Sequence, residues 1–292
     1  MTEILVTLPE GTECPARAYL MRECGISSGL WKRIKHSGTF AVNGMPVIAA
    51  RTVLRAGDMV SYELPVISSV IPEQLPLTVV YEDADLLVID KSAGQLVHPT
   101  TKEAHGTVAN AVLGLYAARR APLGFHPCHR LDRNTTGLLL IAKRPEVQHQ
   151  IARANALERR YLALIEGAIS PAEGTIDAPI ARALPSIILR HVALDGKPAR
   201  THYETVWTDG KYTLLRLRLE TGRTHQIRVH LAHIGHLLLG DDLYGGSTAL
   251  IARHALHSAR LTLIHPRTRE RLTVTATLPE DMAEMLKHIS TR

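Results

Sequence analysis

Several common functions are excluded by what this chain lacks. It has three cysteines in 292 residues, Cys14, Cys24 and Cys128, an odd number without framework spacing, so no disulfides are expected and a reducing compartment fits. Aromatic residues make up 4% of the chain, too few for a platform that stacks successive single-stranded bases. Any contact with nucleic acid must then rest on charge and shape. No apolar run approaches the roughly 18 residues of a membrane span. Met1-Thr2-Glu3 and the short apolar run after it lack the charged start of a secretory signal. The expectation is a soluble, cytoplasmic protein without membrane contact.

Familiar catalytic motifs are missing as well. His225, His230, His233 and His236, with His126, Cys128 and His129 elsewhere, invite a zinc reading, yet the chain has no His-Glu-x-x-His and no Cys-x-x-Cys pair. Partly buried or RNA-facing histidines are the better expectation. Residues 235–240 lack the Lys-Ser/Thr that completes a phosphate loop, and there is no Gly-x-Ser-x-Gly nucleophile elbow. Internal repeats and low-complexity segments are also lacking.

What the chain does have is enough apolar sequence, 45%, for a substantial core and about two domains. A net charge of +6 favours a polyanionic partner, although many enzymes that never touch nucleic acid are equally basic.

The first segment reads as a small module. Residues 16–24 form a short helical stretch broken by Gly25. Ser28 can cap a second helix carrying Leu30, Trp31 and Ile34, with Lys32, Arg33 and Lys35 beside them. Asn43-Gly44 marks a hairpin, with short strands over residues 40–42 and 59–64. Residues 65–76, with Pro72 among them, have the composition of a linker. The expected domains are therefore residues 1–70, linker included, and 71–292.

From Leu77 strands and helices interleave. Residues 78–81 and 86–89 read as strands about a turn. Thr107 can cap a helix carrying Val108, Val112 and Leu115, and Pro145 opens another with Val147 and Ile151. In the strand after Arg160, Tyr161, Ala163 and Ile165 share a face. Leu215, Leu217 and Leu219 alternate with Arg216 and Arg218. A helix starting at Thr221-Gly222-Arg223-Thr224 would bury Ile227, Leu231 and Ile234 and leave Arg228 on its flank. A strand with Leu272, Val274 and Ala276 and a helix opened by Pro279 and Glu280 end the chain.

The most charged stretch is His129-Arg130-Leu131-Asp132-Arg133-Asn134-Thr135-Thr136-Gly137, directly before an apolar run. An aspartate there needs a fixed cation or hydrogen-bond donors if it is buried. That need marks the stretch as a site.

Two resemblances follow from the motifs. Residues 29–64, with Lys32-Arg33-Ile34-Lys35, Val42-Asn43-Gly44 and Arg55-Ala56-Gly57-Asp58, resemble the alpha-L RNA-binding module of a small-subunit ribosomal protein. A solvated basic helix face without a partner is the competing reading. The blocks from His129 to Gly137, Arg160-Tyr161-Leu162-Ala163-Leu164, Thr221-Gly222-Arg223-Thr224-His225-Gln226-Ile227-Arg228-Val229-His230 and Gly240-Asp241 through Tyr244-Gly245 together resemble the RluA family of RNA pseudouridine synthases. Supporting blocks lie at residues 81–94, 96–99, 196–199, 255–258 and 265–266, so the likeness spans residues 77–278.

The second resemblance implies an α+β catalytic domain with a largely antiparallel mixed sheet flanked by helices, behind the small N-terminal α/β RNA-binding module. It implies a reaction in which a uridine's glycosidic bond is cut, the uracil rotated and then rejoined through a ring carbon, with no metal or organic cofactor. Asp132 matches the catalytic aspartate, Arg228 the arginine paired with it, and Tyr161 the tyrosine that packs on the base and takes part in proton removal. Arg130 matches an arginine that displaces the target base. Arg133 and Arg223, with Lys32, Arg33 and Lys35 on the first module, are expected on the RNA backbone. The expected partner is structured RNA, ribosomal rather than transfer RNA, bound by a monomer. Three positions depart from the family pattern: Thr136 where Ser is common, Asp90-Lys91-Ser92 where Asn-Lys-Pro is common, and an apolar stretch at residues 186–189 where basic residues are expected. A non-catalytic RNA-binding protein on the same fold and a metal-dependent hydrolase remain the alternative classes.

Overall fold

The computed structural model describes residues 2–64, 69–121, 123–186 and 188–290; residues 65–68 of the expected linker and residue 187 of the apolar departure lie outside them. The N-terminal part contains β1 (Thr2–Leu5), β2 (Glu13–Pro15), α1 (Ala16–Arg22), α2 (Ser28–Ser37), β3 (Thr39–Val42), β4 (Met45–Pro46), β5 (Val53–Arg55) and β6 (Met59–Glu63). Its main sheet has the order β1-β6-β3-β4 and its own core, in which Tyr19, Leu20, Leu30, Trp31, Ile34, Phe40 and Tyr62 meet. The cap of α2 is Ser27, whose hydroxyl accepts the Leu30 N–H at 3.0 Å, one residue before the Ser28 expected from sequence. Asn43 and Gly44, at φ 52° and 78°, turn β3 back into β4 as expected of this pair.

The remainder contains β7 (Thr78–Glu82), β8 (Leu86–Lys91), α3 (Val108–Ala118), β9 (His126–Pro127), β10 (Thr136–Ala142), α4 (Pro145–Ala154), β11 (Glu158–Glu166), β12 (Glu173–Asp177), β13 (Ile180–Arg182), β14 (Arg190–Val192), β15 (Arg200–Thr208), β16 (Tyr212–Leu219), α5 (Gln226–His233), β17 (Leu256–Ile264), β18 (Arg271–Thr275) and α6 (Glu280–Ser290). Ten of these strands form one sheet, ordered β12-β15-β16-β11-β17-β10-β8-β7, with β18 on β17 and β9 on β10. The fold is α+β, and every pairing in this sheet is antiparallel except that of β10 with β17.

The unbroken apolar run of β10 reflects cover on both faces. Leu139 and Ile141 enter one core with Val108, Val112 and Tyr161, while Leu138, Leu140 and Ala142 enter another with Val147 and Ile151 of α4. On β11, Tyr161, Ala163 and Ile165 do share a face, and Leu164 on the other face meets Met282 and Met285 of α6.

Three further expectations need correction. Helix α5 starts at Gln226, not at Thr221, because the Gln226 side chain ties down the preceding residues: its Oε1 accepts from Thr221 Oγ1 at 2.8 Å and from the Arg223 N–H at 2.9 Å. Ile234 is the C-cap residue and is 36% exposed, so the buried stripe ends at Leu231. The described part of the expected linker also does more than connect. Glu73 N–H donates to Asn110 O, and Asn110 Nδ2 donates to Ile71 O at 2.8 Å. This strand of chain lies so close on α3 that a Cβ at Gly114 would meet Glu73 O at 1.9 Å.

The parallel junction positions the site. Tyr161, Ser258, Gly137 and Lys91 are successive register partners across β11, β17, β10 and β8. Gly137 adopts φ 103°, and a Cβ there would meet Ser258 O at 2.4 Å, so only glycine closes the junction. Gly137→Ala should lower the free energy of unfolding by about 2–4 kcal/mol, measured by urea denaturation. Wild-type stability would mean that the junction can open at little cost.

Candidate active site

Three elements converge on a cleft of about 520 Å³ lined by Arg130, Asp132, Tyr161, Arg223, His225 and Arg228, among others. That volume suits one nucleotide but not a stacked helix. Asp132 comes from the loop before β10, Tyr161 from β11, and the other two arginines and His225 from the turn into α5 and from α5 itself.

The loop is tied on every side. Leu131 is buried in the core, which leaves Arg130 exposed and turns Asp132 to the cleft. Lys91, 1% exposed, donates to the carbonyls of Ser92, Gln95 and Arg133 at 2.7 to 2.9 Å. Burial pulls its ammonium pKa down to about 7, against the charge of Asp132, which raises it. Arg253 donates to Asn134 O at 3.1 Å and is held by Asp281 of α6. The Thr135 and Thr136 hydroxyls pair with buried His254 Nε2 and His257 Nδ1, both at 2.9 Å. Threonine at position 136 thus makes the contact a serine hydroxyl could make.

Arg228 is 6% exposed, and its main counter-ion differs from the one expected. Its Nε and Nη2 donate to the two oxygens of Asp241 at 2.8 and 2.7 Å, whereas Nη1 stands 3.6 Å from Asp132 Oδ2. Asp241 is the partner that makes burial of this cation tolerable, and Asp132 shares the remaining nitrogen. Burial would lower the guanidinium pKa, but the Asp241 hydrogen bonds and charge outweigh it and keep the pKa above its usual value. The Tyr244 ring lies 5.0 Å from the guanidinium carbon. His225 places Nδ1 2.9 Å from the Tyr244 hydroxyl and Nε2 3.9 Å from Asp132 Oδ1.

Tyr161 is 4% exposed, and burial pushes its phenol up to about 12, with Arg159 and a Ser258 hydrogen bond acting the other way. It is therefore a neutral phenol at neutral pH. Arg223 lines the cleft and donates to Pro198 O. Arg133 does not line it; its guanidinium is engaged by Glu103 and Gly94 O. Lys32, Arg33 and Lys35 are exposed on α2. Burial first, and then the charge of Arg33, lowers the pKa of His126 to about 4; His126 precedes Pro127 and Cys128 at the cleft wall.

Of the four histidines at the α5 end of the chain, only His225 lines the cleft. His230 is spent on Thr201 Oγ1 and Ala178 O. The residues that sequence reasoning missed as site components are Lys91, His225, Asp241 and Tyr244. The last three sit inside the main blocks that carry the family resemblance, and Lys91 sits inside the supporting block at residues 81–94, as a charge ending an apolar strand.

The sequence model of the family described as RNA pseudouridylate synthase matches residues 85–233. The chain is 41% identical over 273 residues to an uncharacterized RNA pseudouridine synthase of Bacillus subtilis, covering 91% of this chain and 96% of that protein. It is 40% identical over 266 residues to the ribosomal large subunit pseudouridine synthase D of Yersinia pestis, covering 84% and 81%. Among solved structures, human RNA pseudouridylate synthase domain containing 4 shares the fold with a TM-score of 0.59 at 23% identity, over 73% of this chain and 93% of that one. With the Asp132, Tyr161 and Arg228 blocks in one cleft and identity of this extent, the chain belongs to the RluA family of RNA pseudouridine synthases.

Proposed function

We propose that the protein converts particular uridines of structured RNA, ribosomal rather than transfer RNA, to pseudouridine, with Asp132 as the reacting carboxylate and no metal or organic cofactor. The observation that carries this reading is the place of Asp132: a carboxylate facing a nucleotide-sized cleft, 3.6 Å from a buried guanidinium. The names of relatives, such as the Yersinia pestis large-subunit enzyme, support the choice of ribosomal RNA.

The reaction breaks the bond from ribose C1′ to uracil N1 and makes one from C1′ to C5, while the C5 hydrogen leaves as a proton and N1 gains one. No redox partner is needed. Asp132 attacks or stabilises the sugar or base during the exchange. Arg228, anchored by Asp241, sets a positive charge beside that carboxylate and helps to aim it. Tyr161 packs on the base; as a neutral phenol it can help remove the C5 proton only by relaying, accepting as it donates.

A uridine stacked in a stem cannot reach Asp132, so it must be flipped at a cost of roughly a few kcal/mol. Arg130, exposed at the cleft beside Asp132, would fill the gap it leaves. Arg223, and with it Arg133 and the α2 cations Lys32, Arg33 and Lys35, would hold phosphates. The influence of Arg33 on His126 sets one cation of the N-terminal module, residues 1–70, near the wall of the cleft of residues 71–292.

Asp132→Asn should abolish pseudouridine formation, read by nucleoside analysis of digested RNA, with fold and RNA affinity kept; full activity would sink the assignment. Arg130→Ala should slow the reaction on folded RNA far more than on an RNA whose uridine is already unstacked. Equal slowing on both would refute the flipping role.

A further inference from the structure

His225 holds an unusual position. Its backbone is left-handed, φ 57°, at the N-cap of α5, a conformation that is costly for a residue with a Cβ and that histidine adopts more readily than most. The conformation delivers its ring to the cleft between Tyr244 and Asp132. Burial lowers its pKa, as does Arg228, against the raising effect of Asp132, so the ring is neutral at neutral pH and carries one proton.

The partners decide which nitrogen holds that proton. The Tyr244 oxygen accepts the backbone N–H of Arg190, on β14, at 3.1 Å. Its own hydrogen is then free to go to His225 Nδ1 at 2.9 Å. An ionised carboxylate only accepts hydrogen bonds, so Nε2, which faces Asp132 Oδ1, must carry the proton if the contact is to attract. Both ends give the same answer. The other tautomer would set two lone pairs against each other at Asp132 and leave the tyrosine hydrogen without this acceptor.

We propose that His225, fixed as the Nε2–H tautomer by Tyr244, is a positioning residue for Asp132, donating to Oδ1 while Arg228 holds Oδ2. The present separations, 3.9 and 3.6 Å, are a little beyond hydrogen-bond length, as is common before substrate fills a site. A neutral donor suits this role because it orients the carboxylate without adding a second full positive charge, which would stabilise the anion and blunt its reactivity. The inference rests on the reading of Asp132 as the reacting group.

Tyr244→Phe is the decisive variant, because it removes the hydroxyl and keeps the ring against Arg228. In the wild-type protein labelled with ¹⁵N-histidine, imidazole nitrogen–hydrogen correlation spectra should report the neutral Nε2–H form of His225 at neutral pH, and in Tyr244→Phe a mixture of tautomers. Single-turnover pseudouridine formation by that variant should fall about tenfold, the effect of one lost orienting hydrogen bond, with RNA affinity unchanged. His225→Leu should be slower still, and His225→Gln, which retains an N–H, should recover part of the rate. A wild-type Nδ1–H tautomer or imidazolium, a wild-type rate in Tyr244→Phe, or a loss of affinity in place of rate would each overturn the proposal. The tautomer is read without RNA, so its failure is distinguishable from failure of the functional reading, which a wild-type protein that forms no pseudouridine would show.

Discussion

A guanidinium taken out of water must be answered by negative charge, and the way Arg228 is answered sets the character of the whole site. Asp241 takes two of its nitrogens in a close bidentate pair, leaving the third turned toward Asp132 at 3.6 Å. That division matters chemically. A carboxylate locked in its own bidentate bridge would have its lone pairs committed, whereas Asp132, with no contact shorter than 3.6 Å to Arg228 or His225, keeps a lone pair on each oxygen for a substrate. In the proposed reaction, the second carboxylate thus leaves the first free to act.

The same economy extends to the loop carrying Asp132. Its aim depends on two buried basic side chains that grip successive backbone carbonyls, Lys91 on Arg133 and Arg253 on Asn134. Arg253 in turn ties the loop to Asp281 on α6, so the C-terminal helix both covers the back of β11 and supports the site. Underneath, Gly137 lets β10 approach β17 closely enough for Tyr161, Ser258 and Lys91 to fall on one row of the sheet. The site is accurate because rigid strands hold it from below.

Much of this was legible in the sequence, and the reasons differ by element. Local patterns translate directly: the Thr107 cap, Pro145 at the start of α4, and the shared face of Tyr161, Ala163 and Ile165 all lie where periodicity and capping place them. Asp132, Tyr161 and Arg228 came from family blocks, and the fold brings them into one cleft. Contacts made across the chain were not legible. Nothing local in Arg228 reveals that Asp241 is its principal partner, and nothing in Thr221 reveals that Gln226 holds residues 221–225 outside the helix. The Pro-rich stretch before Leu77 has the composition of a linker, yet Asn110 and Gly114 bind its described end to α3. Composition reports what a segment could do alone and is blind to a partner that arrives from elsewhere.

In the proposed reaction this cleft exchanges the C1′–N1 bond of a uridine for a C1′–C5 bond. Exchange at C5 must expel the hydrogen there. The most direct measurement is release of tritium to water from ribosomal RNA labelled at uracil C5, in the presence of a chelator and without added cofactor. The expected result is release stoichiometric with modified sites and an RNA chain left uncut; intact label after prolonged incubation with properly folded ribosomal RNA, or release only when a metal is restored, would overturn the proposed function.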